Sequence, residues 1–130
     1  MPFDWTNFLH LAEELATRAD EASKRTAISR AYYFVFHVAF SRAELTAGPF
    51  QVGEGSHRWC WDKYATTYVR TRDKICNELW LAGDRIKRRR IKADYKEDLP
   101  RLDDEVIWTL EEAHQFIANL ADLDARYPLP

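Results

Sequence analysis

Two side chains able to handle a phosphate stand in the otherwise apolar stretch SRAYYFVFHV, Ser29 to Val38: Arg30 and His37. A guanidinium is a permanent cation whose fork of N–H donors matches phosphate oxygens. An imidazole takes or gives a proton near neutral pH. With 100° per helical residue and Ile28 at zero, Arg30 falls at about 200° and His37 at about 180°. Thr26, Ser41 and Glu44 fall within about 40° of that line by the same geometry. Tyr33 and Phe34 flank it, while Ile28, Ala31, Tyr32, Val35, Val38 and Ala39 occupy the opposite arc. A helix apolar over most of its circumference, with one narrow polar stripe, is central in its bundle or covered on several sides.

The stripe has three readings. It is a solvent-facing edge; or Arg30 pairs with an acid from another helix and His37 is a satisfied core histidine; or both address one anion. The third reading has a definite chemistry. An RNA strand supplies its own nucleophile, the 2′-hydroxyl, so a site that cuts it needs no metal. It needs a proton-transfer group and a cation to hold the phosphate as charge builds. One Arg and one His leave the departing oxygen without a proton donor, and a symmetric dimer would bring a second copy of each.

A second cationic feature lies at GDRIKRRRIKADY, where Arg85, Lys87, Arg88, Arg89, Arg90 and Lys92 face Asp84 and Asp94. Consecutive residues point around a helix, so most of these cations belong to a solvated face. Some can form a phosphate-tracking patch in a chain of net charge −2. Arg90 and Asp94, four apart, can pair on one helix face, and Tyr95 adds a stacking surface or a hydroxyl.

The elements that must position these residues are all helical. Trp5, Phe8, Leu9, Ala12, Leu15, Ala16 and Ala19 recur at three- and four-residue spacing, predicting a helix from Asp4 to Ala19 with Asp4 as cap. A second runs from Ala22 to Ala47 and ends at Gly48-Pro49, before a loop, PFQVGEG. Ser56 can cap a third, His57 to Arg70, carrying Trp59, Trp61, Tyr64 and Tyr68. A fourth, Thr71 to Ala82, is expected to break or bend at Gly83-Asp84 ahead of the basic stretch. After a loop at Pro100, a last helix starts near Asp103 or Asp104, its acids favoured by the helix dipole, with Val106, Leu110, Ala113, Ile117 and Leu120 on one face. No segment alternates with period two, and beyond the tail ARYPLP there is no low-complexity stretch. The 130 residues fit one domain, an all-α bundle of four or five helices.

Composition narrows the classes. Five Trp, six Tyr and seven Phe mean large apolar contacts within the domain or between subunits. Two cysteines, Cys60 and Cys76, with no CxxC, point to a reducing cytoplasm. The N-terminal segment MPFDWTNFLH has no basic region or long apolar run, so it is not a signal peptide. The apolar stretch Ala31–Phe40 is far short of the roughly 20 residues that span a bilayer, so no membrane association is expected. His57 and Cys60 form an HxxC pair, but no second ligand pair completes a zinc site. His10 and His114 are isolated on amphipathic helices. There is no P-loop, GxGxxG, nucleophile elbow or HExxH, and no cofactor is called for.

AISRAYYFVFHVAF, Ala27 to Phe40, resembles the second helix of HEPN domains, an all-α family, and RRIKADY, Arg89 to Tyr95, is similar to the C-terminal half of one bacterial branch. The resemblance covers most of the chain in helix order. It implies an up-and-down bundle of four or five helices that dimerises. Many such domains are metal-independent endoribonucleases of toxin–antitoxin or antiviral systems; others are nucleotide-binding or scaffolding modules beside a nucleotidyltransferase partner. Their catalytic motif, Arg and His separated by four to six residues, is matched by Arg30 and His37. The expected assignment is therefore Arg30 on the phosphate, His37 moving protons, Tyr33 lining the cleft, and Arg90 guiding the strand, with Asp94 and Tyr95 at its side. The partners it implies are a second copy of the chain, RNA or a nucleotide, and a nucleotidyltransferase or antitoxin.

Overall fold

The computed structural model describes residues 2–51, 53 and 55–129, and shows five α-helices with no strand among them. They are α1 (Thr6–Ala16), α2 (Glu21–Ala47), α3 (Ser56–Thr71), α4 (Lys74–Tyr95) and α5 (Leu102–Arg126). Val52 and Glu54 of the expected PFQVGEG loop, and Pro130 of the ARYPLP tail, lie outside the described residues.

The helix ends follow local chemistry, with some differences from the sequence reading. Asp20 caps α2 by accepting from the Ser23 amide (2.9 Å), and Gly48 ends that helix in the left-handed region (φ 88°). Asp4 accepts from the Thr6 amide (2.9 Å), but the chain turns regular only at Thr6. Ser56 is the first residue of α3, not its cap; Gly55 precedes it with no side-chain bond. Asp73 caps α4 by accepting from the Ile75 amide (3.1 Å). The last helix begins at Leu102, which is buried.

Gly83 does not break α4. The helix runs through it because the position is filled from outside: the six-membered ring of Trp61 lies against the glycine, 2.4 Å from where a Cβ would stand. Here glycine provides space for a neighbour rather than a turn.

α2 is the central element, packed against each of the other four helices. Ala27, Ile28, Ala31, Tyr32, Val35 and Ala39 are essentially inaccessible, as the apolar arc of the sequence requires. Side-chain ties fix the directions. Trp5 meets His37 and Phe8 meets Arg30, so α1 runs antiparallel to α2. Arg25 donates to the Ala93 (3.0 Å) and Glu97 (2.8 Å) carbonyls while Tyr32 sits beside Arg90, so α4 is antiparallel too. Lys24 pairs with Asp103, and Arg42 with Asp124, so α5 runs parallel to α2. The alternation of the bundle is interrupted once. α3 starts beside Tyr32 and Phe36, and its Tyr64 hydroxyl donates to the Ala39 carbonyl (2.8 Å), so the chain doubles back between Gly48 and Gly55.

Candidate functional site

The polar stripe of α2 is neither a bare edge nor a set of paired core groups. The start of α1 lies across it. Trp5 is stacked flat on His37, with ring centroids 3.5 Å apart and planes 5° apart, and Phe8 meets the same ring edge-on at 6.4 Å. The Arg30 guanidinium lies over Phe8 (4.8 Å) and Tyr33 (5.1 Å). Among the described residues neither Arg30 nor His37 has a hydrogen bond or an ion pair, and their side-chain nitrogens reach solvent. Elsewhere on the stripe Thr26 donates to the Ala22 carbonyl, Glu44 accepts from the Phe50 amide (3.0 Å), and Ser41 is exposed.

α3 and α4 complete the cluster. His57 stacks on Phe36 (4.1 Å) and sits edge-on to Tyr33 (6.1 Å). Arg90, only 13 % exposed, lies by the rings of Tyr32 (5.5 Å) and Tyr33 (5.6 Å), so Tyr33 serves both guanidiniums. Its Nη1 reaches Asp94 at 3.3 Å, but its Nε is buried with no partner. Lys87, one turn earlier and half-buried, is close enough to His57 to oppose a positive charge there. The cations Arg30, Lys87 and Arg90 thus gather here, and among the described residues the ion pair made by any of them is that of Arg90 with Asp94. A cationic excess backed by aromatic rings is suited to an anion carrying a planar base.

Both imidazoles are held neutral. Burial, then the Arg30 charge, keeps His37 below the ordinary histidine range. Burial pushes His57 down to about 4, helped by Lys87, Arg90 and His37. A neutral imidazole at neutral pH is a proton acceptor and not an acid. The His57 shift also has a stability consequence. The folded chain binds fewer protons than the unfolded one between the ordinary histidine value near 6.5 and about 4, so stability is lost as pH falls through that window. Thermal melts across this range should show a steeper acid loss for the parent chain than for His57→Gln, which has nothing to titrate.

The structure brings together Arg30, Tyr33, His37, Arg90 and Asp94. It does not bring Tyr95, which ends α4 and is 77 % exposed, away from the Arg90 face by the helical turn. Most of the basic stretch is also elsewhere. Arg85 and Arg89 pair with Glu112 (3.2 and 2.9 Å), Lys92 with Glu105 (2.9 Å) and Arg88 with Asp84 (3.0 Å), leaving Lys87 and Arg90 for the cluster. Sequence reasoning missed Trp5 and His57. Trp5 carries no signal beyond its place in the apolar spacing that leads into α1, and His57 is legible only as half of an HxxC pair. A hollow of about 500 Å³ lies between the start of α2 and the α4–α5 connection, lined by Glu21, Lys24, Arg101, Asp103 and Asp104. It contains the Lys24–Asp103 pair and no aromatic ring, so it offers little to a nucleobase.

Comparisons with protein-family models, with curated proteins and with solved structures return no match for this chain.

Proposed function

We propose that the cluster seats a phosphate of an RNA strand and that the chain is a HEPN-like, metal-independent endoribonuclease of the toxin–antitoxin or antiviral kind. The observation that carries this reading is the juxtaposition of the Arg30 guanidinium, which has no hydrogen bond or ion pair among the described residues, with a neutral imidazole, His37, the nitrogens of both reaching solvent beside α1. In the proposed reaction His37 accepts the 2′-hydroxyl proton, the 2′-oxygen attacks phosphorus, and the bond to the 5′-oxygen breaks. Arg30 and Arg90 hold the phosphoryl oxygens as negative charge builds. The departing 5′-oxygen takes a proton from water or from a second copy of the chain. The product is a 2′,3′-cyclic phosphate and a free 5′-hydroxyl end, with no redox change and no metal.

A second reading is a non-catalytic nucleotide-binding or scaffolding module acting beside a nucleotidyltransferase. It is favoured by the rings packed about the cluster, Phe8 and Tyr33 beside Arg30 and Phe36 beside His57, which give a planar base surfaces to lie against. Incubating the protein with single-stranded RNA in EDTA separates the two. Fragments ending in cyclic phosphate support the ribonuclease; nucleotide-dependent melting without cleavage supports the module.

A further inference from the structure

His57 is tied into the core from one side only. The Trp61 indole N–H donates to the Tyr32 hydroxyl oxygen (3.3 Å), and that hydroxyl lies 2.6 Å from His57 Nδ1. An indole nitrogen is a donor only, so the indole leaves the Tyr32 proton free to be given onward. The acceptor in reach is His57 Nδ1. A neutral imidazole that accepts at Nδ1 carries its hydrogen on Nε2. That nitrogen has no partner among the described residues and reaches solvent, on a ring held among Phe36, Tyr33 and the charges of Lys87 and Arg90.

We propose that His57 is an anion-binding residue of this site, and that the Trp61–Tyr32 relay fixes its tautomer so that Nε2–H donates to the phosphate that Arg30, Lys87 and Arg90 attract. This rests on the reading of the cluster as a phosphate seat, and adds to it a directed neutral donor. An ammonium attracts an anion from many directions and a guanidinium fork engages two of its oxygens, whereas an N–H of fixed tautomer adds one directed donor for a further oxygen. Tyr32 and Trp61 are positioning residues in this arrangement. Trp61 is itself buried against Tyr64 and Phe116, so the relay is anchored in the core.

The test is long-range ¹H–¹⁵N correlation of the histidine side chains at pH 7 in the full chain, with inorganic phosphate as the probe. The expected spectrum shows His57 protonated at Nε2 and bare at Nδ1, with the Nε2 resonance moving as phosphate is added. His57→Ala should weaken phosphate binding roughly tenfold, the loss of one hydrogen bond to a charged group. His57→Gln, which keeps an N–H near the same place, should retain most of the affinity, and Tyr32→Phe should mix the tautomers. A hydrogen on Nδ1, a His57 resonance indifferent to phosphate, or unchanged affinity in His57→Ala would each overturn the proposal. Phosphate binding through His57 without any RNA cleavage keeps this proposal and removes the ribonuclease. Cleavage that survives while His57→Ala binds phosphate as the parent does removes this proposal and keeps the ribonuclease.

Discussion

Replacing His37 by phenylalanine should reduce the rate of RNA cleavage by a factor of roughly 10²–10⁴ while leaving the fold intact, the range expected for losing a positioned proton-transfer group. Phenylalanine is the informative choice because the native ring is part of the structure. Its face lies 3.5 Å from Trp5, and an alanine there would leave the indole without support. A phenyl ring keeps the stack and removes both nitrogens. His37→Ala should lose as much activity, at some cost in melting temperature. Single-turnover cleavage of a labelled RNA, with helicity followed by circular dichroism, distinguishes the two effects. Cleavage by His37→Phe at the parent rate would refute the catalytic assignment of the stripe.

The second large effect is on stability and is opposite in sign to what helix propensity alone requires. Glycine to alanine inside an exposed helix is favourable by about 1 kcal/mol. At Gly83 the added methyl carbon would stand 2.4, 2.6 and 2.7 Å from three carbons of the Trp61 ring, distances that no side-chain Cβ tolerates. The ring is rigid and is held by Tyr64, Phe116 and the hydroxyl of Tyr32, so helix α3 or α4 must shift. Gly83→Ala should therefore cost about 2 kcal/mol or more, in the range of overpacked cores. Chemical denaturation should show a lowered midpoint, and Trp61→Phe in the same chain should recover part of it. A neutral or stabilised Gly83→Ala would mean that the ring does not occupy this place.

The reach of the sequence follows the range of the interactions. The central helix and its stripe were visible because helical period is a local property, and α2 is buried on the arc that Ile28, Ala31, Tyr32, Val35 and Ala39 define. The Arg90–Asp94 pair was visible for the same reason, being one helical turn apart. What escaped depends on residues distant in the chain. His57 reaches the site because the chain doubles back after α2, and nothing near His57 encodes that return. Gly83 reads as a breaker until the neighbouring indole is known. The basic stretch reads as a solvated face with some cations free for phosphate, and which ones are taken shows only when Glu105 and Glu112 of α5 meet Lys92, Arg85 and Arg89. Tyr95 was grouped with Arg90 by its place in a motif, yet five residues on from it the helix points the side chain elsewhere.

That neutralisation by α5 has a consequence for the ion atmosphere of any bound strand. Each phosphate contact on a single strand releases condensed counterions, and the logarithm of affinity falls against the logarithm of salt with a slope of about −0.7 per contact. Were every cation from Arg85 to Lys92 engaged, affinity would collapse between dilute and physiological buffer. With at most Arg30, Lys87 and Arg90 of the cluster engaged, the last of them shared with Asp94, the slope would be no steeper than about −2. On the proposed reading, binding of a strand would survive physiological ionic strength and would depend on rings and directed donors more than on bulk charge, in keeping with the net charge of −2.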